Sequence, residues 1–278
     1  MYFHRIEPNP ILGKFVQCYW ALSESRNQAS HEHGVIPGGY VDIVFNLGDQ
    51  VCSGDSGGIF FDAARTSIAG PFDRFLRLRA SGPLDSLGVR FHLGKTPFHT
   101  SLPLAKMRNQ SVRLDAILSA QDLKAELRKL ELRLLQVSDT VGRIASIEAF
   151  LIRLVDGCSE PDAIVIKALR MIEEQRGQIS VEAIALAVSI SERQLERKFA
   201  RQVGLSPKAL CRVVRFRHAK NLLEKVSAHS AGDLVYDCGY YDQTHLIREF
   251  RVFTGQTPAH FHNAHPVGFF LYDFKTSC

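Results

Sequence analysis

Cysteine is present but never spaced as metal or redox chemistry requires. Cys18, Cys52, Cys158, Cys211, Cys238 and Cys278 are scattered with no CxxC pair, so they read as free thiols in a reducing compartment, several of them buried. No apolar run approaches the ~20 residues that cross a bilayer, and no membrane partner is expected. The start of the chain sets Arg5 and Glu7 beside Pro8 and Pro10 without a long apolar stretch. No signal peptide is expected there, and the expected location is cytoplasmic. Catalytic signatures are missing as well. There is no G-x-S-x-G and no paired-carboxylate motif, and Gly54–Gly58 lacks the Lys-Ser/Thr of a phosphate loop. The chain is therefore not expected to be an enzyme, and no cofactor is expected.

Histidine offers little more. His31-Glu32-His33 places two imidazoles on one side of a strand, but a metal needs at least one further ligand. His92, His99 and Asp42 are near only along the chain, and an exposed loop is the plainer reading. His260, His262 and His265 read as surface residues. No metal site is expected.

What is present is an ordinary globular composition, 45% hydrophobic and 23% charged over 278 residues, which fits two domains. The net charge of +5 is uneven. Residues 162–265 hold 15 basic against 11 acidic side chains, and residues 191–225 hold 10 against 3. Such an excess suits a phosphate-facing surface, or a merely solvated helix face. Short apolar stretches at Val16–Leu22, Tyr40–Leu47 and Leu84–Phe91, separated by turns such as Gly38-Gly39 and Asn46-Leu47-Gly48-Asp49, predict strands. From about Leu114 the period changes. Leu123, Leu127, Leu130 and Leu134 mark a helix over Gln121–Gln136. Ser138-Asp139-Thr140 caps a second, Val141–Val155, with Ile144, Ile147, Leu151 and Leu154 on one face and Gly157 closing it. That pair is either a packed connector or a homodimer seam. Beyond Asp162 the pattern is helical, and the apolar tail Gly268–Phe274 is expected to pack back on the protein as a strand or extended segment. The predicted class is α+β: a β-rich barrel or sandwich-like domain (1–110), a helical connector (111–160), an all-α domain (161–265) and a tail (266–278).

The last third repeats itself. Ser180, Ile184, Ala185, Ser191, Leu195, Arg197, Phe199, Gly204 and Pro207 find counterparts in Ser230, Leu234, Val235, Asp242, Leu246, Arg248, Phe250, Gly255 and Pro258, offset by 50 residues early and 51 later. Each copy has the parts of a helix-turn-helix. Ser180 and Ser230 are N-cap candidates. Ser189 and Gly239 sit at the turn. Ser191 with Gln194 three residues on makes a capping box, and Asp242 caps its counterpart. Leu195/Phe199 and Leu246/Phe250 are inward i, i+4 pairs. Gly204 and Gly255 stop the helices. Ser206-Pro207 then opens a long helix to about Glu224, some 25 Å at 1.5 Å per residue. That length suits two recognition helices about 34 Å apart, one turn of B-DNA.

Leu195-x-Arg197-x-Phe199 to Gly204-x-Ser-Pro207, Arg215-x-x-x-Ala219-x-x-Leu222-Leu223, and Gly239-Tyr240-x-Asp242-Gln243-x-x-Leu246-x-Arg248-x-Phe250 to Gly255-x-x-Pro258 closely resemble the DNA-binding domain of the AraC/XylS family of transcription activators, over about 100 residues. Val235 and Ser189 depart from the family's usual alanine and glycine. Tyr19-Trp20, Ile36-Pro37-Gly38-Gly39-x-x-Asp42-Ile43-Val44-Phe45-Asn46, Gly70-Pro71 and Leu87-Gly88-Val89-Arg90-Phe91 more loosely resemble the β-rich sensor domain of one subgroup. The resemblance implies a regulator that binds double-stranded DNA and RNA polymerase, answers to an effector of unknown identity, and forms a possible homodimer. It places Arg193, Gln194, Glu196 and Arg197 of the first unit, and Gln243, Thr244, Ile247 and Arg248 of the second, at base edges. Their chemistry fits, since Arg forks onto guanine, Gln onto adenine, Glu accepts from cytosine and Ile meets a thymine methyl. Phosphate contact competes for Arg193, and an internal salt bridge for Arg197 and Arg248. Lys198, Arg201 and Arg251 are phosphate candidates. Arg212, Arg215, Arg217 and Lys220 on the long helix stay unassigned between DNA and structure. Two other classes remain: an enzyme that uses the paired units for targeting, as in DNA-repair methyltransferases, and a metal sensor built on His31 and His33.

Overall fold

Strands in the first third cover one another through their side-chain alternation. The computed structural model describes residues 2–24, 31–49, 51–54, 60–62, 64–98, 103–156, 158–225, 231–263 and 269–271. Ten strands come first: β1 (Tyr2–Ile6), β2 (Val16–Glu24), β3 (His31–Ile36), β4 (Asp42–Asn46), β5 (Val51–Gly54), β6 (Phe60–Asp62), β7 (Thr66–Ala69), β8 (Leu76–Ala80), β9 (Leu84–Phe91) and β10 (Ser111–Arg113). They form two open sheets ordered β1-β2-β9-β4-β7-β10 and β3-β8-β5-β6. A strand far along the chain, β11 (Phe269–Leu271), adds parallel to β3 at the edge of the second sheet. Phe269–Leu271 of the apolar tail thus pair back on the protein as a strand. The domain is a sandwich rather than a closed barrel.

The larger sheet buries both faces. Trp20 and Leu22 of β2 point into the sandwich with Val35, Val51, Ala80 and Leu84. Tyr19, Ile43, Phe45, Leu87, Val89 and Phe91 point the other way, as the two-residue period of a strand demands. That second face is covered by helices. After α1 (Leu114–Ile117), α2 (Gln121–Gln136) and α3 (Thr140–Val155) form a hairpin, with Asp139 capping α3 by accepting from the Gly142 amide. Leu127, Leu130, Leu134, Ile144, Ile147, Leu151 and Leu154 are buried in one cluster with the sheet. The side chains on which the connector or seam reading rested are thus packed against the sheet, while Leu132, Leu135, Val141 and Ile152 of the same helices stay exposed. Gly157, His99, Ser230, His265 and the 55–58 turn lie outside the described residues.

Within the sandwich a charge is buried. Asp42 and Arg90, opposite each other on β4 and β9, are each 1% exposed. Arg90 donates from Nε and Nη2 to Asp42 at 3.0 and 2.8 Å. The Trp20 indole N–H donates to the same carboxylate at 3.2 Å. Trp20 has room because its register partner is Gly88, where a Cβ would fall 1.8 Å from the indole. His33, of the histidine pair weighed as metal ligands and set aside, is buried with Nε2 3.2 Å from Glu24. Among the described residues no group of three or more His, Cys, Asp or Glu is placed to hold a metal ion. Cys18, Cys211 and Cys238 are free buried thiols, each pushed up to about 11 chiefly by burial.

The remaining helices are α4 (Ala163–Glu174), α5 (Val181–Ala187), α6 (Glu192–Gln202), α7 (Pro207–Lys225), α8 (Ala231–Asp237), α9 (Gln243–Thr254) and α10 (Pro258–Asn263). Their core holds Leu195, Phe199, Phe216, Leu246, Phe250 and Phe253, and Ile36 of β3 joins it. The two domains therefore share apolar packing. Gln202 on α6 donates to the Gly94 carbonyl at 2.7 Å, and the Phe75 amide donates to the Val252 carbonyl at 2.9 Å.

Removing one partner of a buried ion pair leaves the other charge stranded, which costs ~3–5 kcal/mol. Arg90→Ala is expected to lower unfolding free energy by about that amount in urea denaturation, and a loss under ~1 kcal/mol would show that Asp42 finds water or protonates cheaply.

Candidate nucleic-acid interface

Both repeats fold into the same unit, down to the turn. In the first, the Ser189 amide donates to the Leu186 carbonyl and the Ile190 amide to Ala185. In the second, the Gly239 amide donates to Tyr236 and the Tyr240 amide to Val235. The offset is 50 residues in every case. The turn residue is left-handed in both, with φ 56° at Ser189 and 63° at Gly239. A Cβ is disfavoured there, so the Ser189 departure carries a cost that glycine would avoid.

The second helix of each unit is held at its start and along its back. Ser191 and Gln194 form the reciprocal capping box at α6: the Gln194 amide donates to the Ser191 hydroxyl at 3.3 Å and the Ser191 amide to the Gln194 Oε1 at 3.0 Å. Asp242 caps α9 by accepting from the His245 amide at 2.7 Å. Leu195, Phe199, Leu246 and Phe250 are fully buried. Helix α7 runs between the two units, capped by the Ser206 hydroxyl, which accepts from the Ala209 amide. Its 19 residues span about 28 Å at 1.5 Å each. Phe216 at its middle lies 5.1 Å from Phe250 and 4.8 Å from Phe253, ring centre to ring centre, and so locks α9 to it.

The expected contact residues separate into two groups. Arg193, Glu196, Arg197, Gln243, Thr244 and Arg248 are exposed, and Ile247 is half-buried. Among the described residues, Arg193, Arg197 and Arg248 make no intramolecular ion pair. Arg201 and Arg251 are also exposed. Two others are engaged inside the chain. The Gln194 carbonyl oxygen is used by the cap. Lys198 pairs with Asp162, the N-cap of α4. Burial pushes the Asp162 carboxyl up, but hydrogen bonds from Lys198 and the Ile164 amide more than reverse this, so it titrates below its usual range.

The α7 cations, left open by the sequence, are all engaged. Arg212 forks onto Glu249 of α9 at 2.7–3.2 Å, which raises its pKa. Arg215 donates to the Gly177 carbonyl and lies over the Tyr240 ring. Arg217 donates to Glu173 of α4 and, at 2.5 Å, to the Tyr40 hydroxyl of the β domain. Lys220 pairs with Glu224. Sequence reasoning missed a neighbour of the second reading helix. Arg74 and Phe75, just before β8, line a groove of about 630 Å³ with Thr244, Ile247, Arg248 and Arg251. Nothing in the local sequence around Arg74 announces that placement.

Two capped helices, each presenting unpaired cations and polar side chains and joined by one rigid helix, define a paired helix-turn-helix DNA-binding domain. A helix-turn-helix domain family matches residues 184–264, and a domain of unknown function, DUF6597, matches residues 4–113. The transcriptional activator RhaS of Salmonella schwarzengrund is 31% identical over 99 residues, 35% of this chain and 35% of that one. RhaS of Citrobacter koseri is 32% identical over the same shares. The chain thus matches about a third of the length of these curated relatives. A probable AraC family regulator from Rhodopseudomonas palustris is 28% identical over 36% of this chain and 94% of that one, with a TM-score of 0.33. The helix-turn-helix region is thus similar to that of these transcriptional activators, in line with the resemblance of its motifs to the AraC/XylS family.

Ser189→Gly is expected to stabilise the protein by about 0.5–1 kcal/mol by removing the left-handed penalty of a Cβ. Equilibrium denaturation checks this, and a destabilised variant would contradict the strained-turn reading.

Proposed function

We propose that this protein is a cytoplasmic transcription activator that reads two successive major grooves of one operator, with α6 in the first and α9 in the second. The observation that carries this reading is the set of exposed, unpaired guanidiniums, Arg193, Arg197 and Arg248, on helices whose ends are capped and whose backs are fully buried. Free forked donors on a rigid helix suit guanine O6 and N7. Glu196, Gln243, Thr244 and Ile247 supply the remaining base-edge chemistry. Gln194, with its oxygen taken by the cap, contributes at most its amide N–H donors. Arg201 and Arg251 contact phosphates; Lys198 does so only by leaving Asp162. Activation through RNA polymerase follows the relatives, whose names describe activators. The β domain is the sensing part, and its direct packing on α6, α7 and α9 gives an effector a physical route to the reading helices. We place no dimer seam on α2 and α3.

Arg193→Ala is expected to weaken operator binding by ~1–3 kcal/mol and to relax preference at one base pair of the α6 half-site alone. Selection from random DNA with each protein reads this. Equal weakening on operator and random DNA would make Arg193 a phosphate contact, and failure of the wild-type chain to enrich any sequence would overturn the proposed function.

A further inference from the structure

A feature that the proposed function leaves unused lies where the two domains meet. A cleft of about 490 Å³ opens between the turn that follows β9 and helices α4 and α7. Pockets that hold small ligands run ~300–1,000 Å³, whereas the cavity inside the sandwich around Trp20 measures only about 70 Å³. The floor of the cleft is apolar, with Leu93, Ile166, Leu169 and Val214, and its rim carries Lys95, Arg170 and Arg176. Among the described residues these three cations make no ion pair. Glu173, the only carboxylate lining the cleft, is already taken by Arg217 at 2.6 Å. Uncompensated charge of one sign lining low-dielectric walls raises the local concentration of anions. The geometry is fixed from both sides. The Lys95 turn is tied down by Gln202 donating to the Gly94 carbonyl, and Arg170 rides on α4, whose Glu173 is locked to α7. His92, beside Lys95, is held below its usual pKa by burial and then by that lysine, so it stands in the wall as a neutral hydrogen-bonding group.

We propose that this cleft binds a small organic anion with an apolar body, its charged group held between Lys95 of the β domain and Arg170 and Arg176 of the helical domain. As the site's role, we assign it the effector of the regulator, which rests on the function proposed above. Such a ligand bridges the sensing domain to α4 and α7 and ties its occupancy to the position of the reading helices.

The test uses the full chain and the fluorescent aromatic sulfonate 8-anilinonaphthalene-1-sulfonate. Saturable binding is expected, weakened at least about tenfold by Lys95→Glu with Arg170→Glu, the loss of two charge-assisted contacts. The same charge change on exposed α2 residues, Arg128→Glu with Lys129→Glu, is expected to leave affinity within about twofold, since distant charges are screened. Cyclohexanecarboxylate is expected to displace the dye and cyclohexylmethanol is not. Equal affinity in the Lys95/Arg170 variant, or equal displacement by the alcohol, would overturn the proposal. Sequence-specific DNA binding is measured on the same preparations. A chain that passes the dye test but selects no DNA sequence retains the anion site and loses the regulator reading. One that selects DNA but fails the dye test loses only the cleft.

Discussion

The structure depends on one buried carboxylate. Asp42 accepts hydrogen bonds from Trp20 and twice from Arg90, deep between two sheets where an unpaired charge could not persist. Arg90, so held, lies 4.7 Å from the centre of the Tyr40 ring. The hydroxyl of that ring accepts from Arg217 on α7, and Arg217 in turn grips Glu173 on α4. Five polar side chains thus run from the centre of the sandwich to the helix that joins the two reading units. Their innermost link is the most demanding, because removing Arg90 strands Asp42, which is 1% exposed.

That dependence shapes the charge distribution outside. A basic stretch over α6 and α7 looks uniform in sequence, but the folded chain divides it. Arg212, Arg215 and Arg217 of α7 hold α9, the turn after α4, α4 itself and the β domain, whereas Arg193, Arg197 and Arg248 of α6 and α9 face outward with no ion pair among the described residues, as the proposed DNA contacts require. A rigid reading head needs this division. Cations that both packed the linker and met phosphates would trade stability against binding at every contact.

Much of the helical domain was legible because its signals are local. A cap acts within three residues and an inward pair within four, and the repeat announces both units. The capping box at Ser191 and Gln194 could be read from spacing alone. What it implied for Gln194 was harder to see: a side chain that closes a cap is no longer fully free for a base. Long-range partners were illegible for a general reason. Period shows that α2 and α3 have apolar faces, but not that the six-stranded sheet covers them. Nothing near Lys198 names Asp162, nothing near Arg217 names Tyr40, and nothing around Arg74 places it beside α9. The interdomain cleft was invisible for the same reason, since its walls come from five separated segments. In the β domain the strands at Val16–Leu22, Tyr40–Leu47 and Leu84–Phe91 were signalled by turns, yet alternation cannot distinguish an open sandwich from a barrel.

The central claim is that α7 fixes two reading helices on one face of the double helix. It is tested most directly by binding the full chain to its selected operator with about 5 bp, half a turn, inserted between the half-sites. The account predicts that affinity falls to the non-specific level, because a 19-residue helix packed through Phe216 cannot rotate the second unit to the opposite side. Undiminished binding to the lengthened site would contradict it, and would mean either that one unit reads alone or that the linker is no rigid spacer.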